Sequence, residues 1–354
     1  MYYLVNQEHD YTLRGYLESD RSRDLACSLA GLHYQRARKS RQLPPSTYIF
    51  SDHERLTPHQ TELAIQLWNQ LVDRPGVRLL NNPAHVARRY KLLRKLHELG
   101  RNDFNVFRLD EPLDQVRFPV FVREEREHYG SLTGLIHGAD ELRRKLNNLL
   151  SFLQKHRTQD LIVVEFCDTA DEKGIHAKYS ALKIGEHIIP RYLQFSHDWE
   201  VKDSNAIITP HNMGRKMRYF EENPHRSWIR ETFQLAHIDY GRLDYGVLGD
   251  RLQAWEINTN PMMSGMPGDK KQFERSAERA ELLEPSRSLS HQRIRDALES
   301  IESSSPGGPE IPIRIPRSLS RRLRQEEIVH QLCRPVARLK RGLLGSFRFA
   351  GWGD

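Results

Sequence analysis

The chain has 354 residues, 38% hydrophobic and 29% charged, which is enough apolar material for two or three packed units beneath a wet surface. A mean hydropathy of −0.69 and no apolar run near about 18 residues exclude a membrane-spanning helix, and the opening Met1-Tyr2-Tyr3-Leu4-Val5-Asn6 lacks the basic-then-apolar layout of a secretory leader. The formal net charge of +7 lies wholly in residues 311–354, with ten Lys or Arg against three acids, so residues 1–310 balance at 44 against 44 and show no basic field suited to a nucleic-acid groove.

Residues 1–46 mix helical signals with a basic stretch, Arg36, Arg38, Lys39 and Arg41, that ends at Pro44-Pro45. Tyr48-Ile49-Phe50 reads as a short buried strand. Thr57-Pro58-His59-Gln60 is a helix start, with Thr as cap, Pro at the first helical position and Gln three residues after the cap. That helix presents Leu63, Ala64, Leu67, Trp68 and Leu71 on one face and stops near Pro75-Gly76. A strand at 77–80 follows, then a helix from about Ala84 to Leu99 closed by Gly100. Strands are expected at 104–109 and 118–123, a polar loop at 124–137 and a helix from Ala139 to His156. Leu161-Ile162-Val163-Val164-Glu165-Phe166 is the strongest buried-strand signal in the chain. Strands at 176–184 and 187–195 join through Gly185-Glu186, a hairpin turn. A loop containing Pro210 and Pro224 leads to a helix at about 227–237, and two strands near 242–248 and 252–257 close the body. Residues 270–302 read as helix and loop. Beyond the Ser303-Ser304-Ser305-Pro306-Gly307-Gly308-Pro309 linker, a mostly mobile tail is expected, with one basic helix after Ser320.

The chemistry concentrates in Arg242-Leu243-Asp244 and Glu256-Ile257-Asn258-Thr259-Asn260-Pro261. Side chains alternate along a strand, so Glu256 and Asn258 share a face. A three-residue turn at Gly249 to Arg251 would place Asp244 opposite Glu256. A two-residue turn at Gly249-Asp250 would place it opposite Trp255, unless a bulge restores the pairing. In the first register two carboxylates and an amide oxygen form one patch, a hard-oxygen set that suits Mg²⁺. Arg242 shares the face of Asp244 and supplies a cation for an acyl phosphate or carboxylate. In the other direction, the same residues could be the acidic face of a solvated hairpin.

Arg-x-Asp followed by Glu-x-Asn-x-x-Pro resembles the C-terminal signature of the ATP-grasp superfamily, the fold of D-alanine–D-alanine ligase and glutathione synthetase. The resemblance covers roughly residues 77–268 and implies an α/β and α+β chain. Its N-terminal α/β region (1–82) precedes two α+β lobes (83–160 and 161–269) that hold ATP, and a basic tail (270–354) follows. It implies that Asp244, Glu256 and Asn258 hold magnesium on the ATP phosphates and that Arg242 steadies the acyl phosphate. Arg123 falls where the family usually has Lys at the end of its first phosphate-binding strand, and Lys178 falls where a basic residue faces the phosphates. The strand ending at Glu165-Phe166 resembles the segment over the adenine, with a nearby acid for the ribose, so Glu165, Phe166 and Asp168 are the nucleotide-contacting candidates there. The stretch 124–131 departs from the family's glycine-rich loop, being charged with one glycine, and contains His128 as a phosphate donor.

The implied reaction is ATP- and Mg-dependent joining of a carboxylate to an amine or similar nucleophile through an acyl phosphate. The alternatives are a small-molecule kinase of the same fold, and a non-catalytic binding protein whose basic tail docks on an anionic partner. Three widely spaced cysteines, Cys27, Cys167 and Cys333, argue against a disulfide framework and for a reducing, cytoplasmic setting. Cys167 reads as a packed thiol, Trp199 as core rather than substrate entrance, and no two of the seventeen His have the four-residue spacing of a helical metal pair.

Overall fold

The computed structural model describes residues 1–19, 22–128, 130–152, 160–263, 277–302 and 308–329. The N-terminal unit contains β1 (Tyr2–Val5), α1 (Tyr11–Leu17), β2 (Ala30–His33), α2 (Tyr34–Ala37), the two-residue β3 (Gln42–Leu43), β4 (Thr47–Phe50), α3 (Pro58–Leu71) and β5 (Arg78–Leu80). Strands β2-β1-β4-β5 form a parallel sheet in that order. Its β4 is buried at every position, as a strand covered on both faces must be. Helix α3 starts as its sequence specifies: Gln60 N donates to Thr57 Oγ1 at 3.2 Å and Thr57 N donates to Gln60 Oε1 at 3.0 Å, with Pro58 first in the helix.

The central unit has α4 (Arg89–Glu98), β6 (Val106–Arg108), β7 (Val120–Glu124), α5 (Ala139–Phe152) and β8 (Leu161–Glu165), the strands forming an antiparallel sheet ordered β6-β8-β7. Helix α4 begins five residues later than expected, because 82–86 is spent in a turn in which His85 N and Val86 N both donate to Asn82 O. The third unit has β9 (His176–Ile184), β10 (His187–Ser196), α6 (Pro210–Glu222), α7 (Arg226–Ala236), β11 (Tyr240–Leu248), β12 (Arg251–Asn258) and α8 (Ala277–Ser300). Its sheet is antiparallel, ordered β10-β9-β11-β12. The architecture of the described residues is therefore mixed α/β, one parallel sheet followed by two antiparallel ones, with a further, smaller two-stranded antiparallel pair.

Two expectations need correcting. The stretch read as loop around Pro210 is helix α6: Pro210 is its first residue and Thr209 Oγ1 accepts from Asn212 N, so the proline opens the helix instead of preventing it. The tail is also more ordered than expected. Residues 303–307 and 330–354 lie outside the described residues, but β13 (Ile311–Pro312) pairs with β3, and a helix, α9, spans 317–329 and begins before Ser320. Ile311, Ile313, Leu319 and Leu323 are buried in the same cluster as Leu63 and Leu67 of α3. Apolar burial, absent from the charge count, anchors this segment.

The N-terminal and third units share a core in which Tyr3, Val5, Ile49 and Leu80 meet Leu182, Ile184, Tyr240 and Leu298. Asn81 bolts them together. Its amide donates to Phe50 O (2.9 Å) and Tyr240 O (2.8 Å), and its oxygen accepts from Asp239 N (2.7 Å) and Tyr240 N (2.9 Å). Its φ of +66° is a left-handed conformation that Asn tolerates better than most residues.

His53, buried just beyond β4, also crosses between the units, its backbone N–H donating to Thr259 Oγ1 at 3.0 Å while its ring Nε2 lies 3.1 Å from Phe50 O. Burial first, and then Arg88, push its pKa down to about 4. Folding thus favours the neutral ring. The stability this contributes is complete above the unfolded-state value near 6.5 and is lost as pH falls through it toward 4. Unfolding by denaturant at pH 7 and pH 5 should show a loss that is smaller by about 2 kcal/mol in His53→Gln than in the parent. Equal losses in the two proteins would rule this out.

Candidate active site

The β11–β12 hairpin sets the geometry. Its turn has two residues, since Leu248 pairs with Arg251, so the three-residue turn is not the one formed. Yet Asp244 stands opposite Glu256, because the register shifts between Asp244 and Tyr245: Tyr245 pairs with Ala254, and Trp255 is the extra, bulged residue. Gly246 makes room for it. A Cβ there would lie 2.5 Å from the Trp255 ring and 3.2 Å from Thr169 Cγ2. The bulge thus turns the indole toward Gly246 and brings the two carboxylates into register. On the other side of β11, Asp244 pairs with Ser180 of β9, whose hydroxyl donates to it at 2.9 Å, and Lys178 lies two residues along the same strand.

Arg123, His128, Glu165, Phe166, Lys178, Asp244 and Glu256 all line one cavity of about 350 Å³, between the central sheet and the third. Its charged side is built around Glu256, which is paired with Arg89 and lies 3.5 Å from Arg123 and 3.7 Å from His128. Arg89 was not foreseen. It is buried, and its guanidinium also donates to the carbonyls of Glu124 (3.1 Å), Glu125 (2.8 Å) and Glu127 (3.1 Å), so the turn after β7 forms a collar around it. The loop's own charges are spent on structure: Glu125 pairs with Arg108 and Arg126 with Asp160. At its far end, Ser131 N donates to Glu200 Oε1 at 2.6 Å, and Glu200 in turn pairs with Lys202.

Neither ring nitrogen of His128 has a hydrogen-bond partner among the described residues. Burial, then Arg55, Arg89, Arg123 and Arg242, hold its pKa well below the ordinary histidine value, so the ring is neutral. Burial would raise the pKa of Asp244, but Arg242, Lys178 and the Ser180 hydroxyl outweigh it and keep the carboxylate ionised. The cavity's other side is apolar. Trp199 packs on Phe121 (ring centres 4.9 Å apart) and edge-on to Phe166 (5.7 Å), with Phe104, Val164 and Trp255 nearby. The expectation that Trp199 belongs to the core is thereby corrected: it is half-buried and forms cavity wall.

Other candidates stand differently from their expected roles. Glu165 lines the cavity, but its carboxylate is committed to Asn105 N (2.8 Å), Arg117 N (2.9 Å) and the Arg117 guanidinium (2.7 Å), and so braces the wall. Asp168 does not line it. Its side chain is 67% exposed and accepts from Ala170 N, since the chain turns outward past β8. Arg242 and Asn258 face each other across β11–β12 beyond the wall: Arg242 grips Asp244 through two nitrogens (2.8 and 3.1 Å), and Asn258 Oδ1 accepts from Asn260 N at 2.8 Å. Cys167 is on the wall, half-buried, with its pKa pushed up to about 11 by burial and then Asp103, which makes it a poor nucleophile.

Among the described residues no group of three or more His, Cys, Asp or Glu could hold a metal. The opposed pair Asp244 and Glu256 has the donor chemistry that Mg²⁺ takes, one or two carboxylates with water and phosphate oxygens completing the shell, while in this structure the two carboxylates are held by Arg242 and Arg89. A bound polyanion would also meet Arg89, Arg123 and Lys178, all on the same wall.

No family model matches the chain, and no curated protein is similar to it. Among solved structures it is similar to D-alanine–D-alanine ligase from Bacillus anthracis complexed with ATP, with 12% identity, 84% of this chain and 98% of that one covered, and a TM-score of 0.43. It is similar as well to a RimK domain ATP-grasp protein from Sphaerobacter thermophilus (11%, 84% and 99%, TM-score 0.43) and to an L-amino acid ligase from Bacillus licheniformis (10%, 76% and 68%, TM-score 0.38). These likenesses are too remote to assign a family. The functional reading rests on the site.

Proposed function

We propose that the chain is an ATP-grasp enzyme, an ATP- and Mg-dependent ligase that joins a carboxylate to an amine or similar nucleophile. The observation that supports this reading is the two-sided cavity. Arg89, Arg123, Lys178 and His128 surround the opposed Asp244 and Glu256 on one side, and Phe121, Phe166 and Trp199 form the other. A nucleoside triphosphate has the matching halves, a flat apolar base and a chain of phosphates. Base stacking on aromatic rings and charge-assisted bonds from guanidinium forks are the interactions that recognise them.

In this reading Arg89 and Arg123 hold phosphate oxygens, and Lys178 neutralises charge from the β9 side. His128, being neutral, offers one ring N–H as a donor without adding charge. Magnesium held by Asp244 and Glu256 would supply the remaining neutralisation of the phosphates; Asn258, outside the wall with its oxygen on Asn260 N, is not part of that set. A substrate carboxylate oxygen attacks the γ-phosphorus and ADP leaves. The amine then attacks the acyl carbon, phosphate departs with the C–O bond electrons, and the proton lost by the amine nitrogen passes to the departing phosphate or to water. Arg242, held on Asp244 beyond the cavity wall, acts through that carboxylate by keeping it ionised. No enzyme nucleophile is required, in keeping with the raised thiol pKa of Cys167.

Calorimetry with ATP, with and without Mg²⁺, tests the site before the acid is known. Saturable binding strengthened by Mg²⁺ is expected, and no heat under either condition would end the proposal. Hydroxylamine added to ATP and a panel of acids then separates the chemistries. Hydroxamate marks an acyl phosphate, whereas a stable phosphorylated product without hydroxamate would make the enzyme a kinase.

A further inference from the structure

We propose that the outer face of α9, together with the adjoining 36–41 segment, is a docking surface for an anionic lipid membrane. It lies apart from the cavity and does not depend on the ligase reading. Helix α9 sorts its side chains by charge. Its acids turn inward, Glu326 accepting from Thr57 Oγ1 at 2.8 Å and meeting His59 at 2.6 Å, while Glu327 pairs with Arg38 at 3.0 Å. Leu319 and Leu323 are buried between them. Arg317, Arg321 and Arg324, spaced four and three apart, form one exposed stripe, and among the described residues none has an ion-pair partner.

The fold widens this stripe. Pairing of Ile311 with Leu43, the bond from Ile313 N to Arg41 O at 2.8 Å and the bond from Arg38 to Ser320 O at 3.2 Å hold the 36–41 segment, with its exposed Arg36, Lys39 and Arg41, against the 311–320 stretch from which α9 starts. The exposed acids near it are Glu310 and Glu62, the latter 43% exposed and neutralised by its pair with Arg322 of α9 at 2.8 Å. Two basic stretches about 280 residues apart thus become neighbours, on a chain whose first 310 residues are charge-balanced as a whole. Counterion release alone would suit nucleic acid equally well.

What favours lipid is the end of the stripe. Ile328, four residues after Arg324 and on the same face, is 51% exposed, and Val329 beside it is 59% exposed. Apolar side chains next to a cationic face are the layout of a helix that lies in a membrane interface, where the cations meet headgroups and the apolar groups enter the acyl boundary. The sequence of 330–354 continues this chemistry, with five further Lys or Arg against Asp354, interleaved with Leu, Phe and Trp.

Co-sedimentation of the full chain with phosphatidylcholine vesicles, with and without phosphatidylserine, tests the surface. Binding is expected only with phosphatidylserine, weakening as salt rises. Arg317→Glu/Arg321→Glu/Arg324→Glu should lower it at least about tenfold. Ile328→Ser/Val329→Ser should lower it severalfold at unchanged charge. Arg143→Glu/Arg144→Glu, on exposed α5 positions, should bind as the parent does, and unchanged melting would show that the variants fold. Equal binding to both vesicle types, or an unaffected triple variant, would overturn the proposal. So would an RNA oligonucleotide that binds the parent and the serine variant alike while vesicles bind neither, which would assign the surface to nucleic acid.

Discussion

Glu256→Gln is expected to reduce Mg-dependent ATP turnover by roughly a hundredfold or more, because the amide cannot supply the anionic oxygen a divalent cation requires. The same change takes a negative charge out of a cluster that contains Arg89 and Arg123, so ATP binding without Mg²⁺ should persist or tighten. This opposition distinguishes a metal ligand from a residue that only holds Arg89 in place. Arg89 keeps its three carbonyl acceptors in the variant, which limits the structural damage. Single-turnover hydrolysis and calorimetry on one preparation supply both readings. Turnover within about tenfold of the parent, or loss of Mg-free binding along with turnover, would remove Glu256 from the metal site.

The largest effect on stability is expected at Asn81. Substitution by Ala removes four hydrogen bonds and leaves the carbonyls of Phe50 and Tyr240 and the N–H groups of Asp239 and Tyr240 to find other partners in a buried seam. At about 1 kcal/mol for each lost bond, the cost is roughly 4 kcal/mol. The left-handed backbone adds about 1 kcal/mol for Ala that Gly would escape. For a protein stabilised by about 5–15 kcal/mol this is severe. Urea unfolding should rank the parent first, then Asn81→Gly, then Asn81→Ala. An Ala variant within about 1 kcal/mol of the parent would show that the seam is held by its apolar contacts alone. Because Asn81 grips β11 two residues before Arg242, a loosened seam should also disturb the face that presents Asp244.

Local rules explain much of the chain. The capping box of α3, the two-residue hairpin at Gly185-Glu186 and the buried strand β8 follow from neighbouring residues, since each depends on contacts within a few positions. Thr209-Pro210 followed by Asn212 was an equally local helix start, and the expectation of a loop there came from weighing proline as a breaker instead of as a first-turn residue.

The sequence by itself determined which side chains could hold a hard cation and that Glu256 and Asn258 share a face, because alternation along a strand needs no partner. It left open whether Asp244 would stand opposite Glu256. Tertiary packing decided that, by lodging the bulged Trp255 in the space that Gly246 leaves. It alone decided that Arg89, 167 residues from Glu256, would sit in a collar of carbonyls beside that carboxylate. It also turned Asp168 outward and returned residues 311–329 to the N-terminal core. Each of these depends on surfaces from distant segments closing over one another, and one-dimensional patterning contains no term for that.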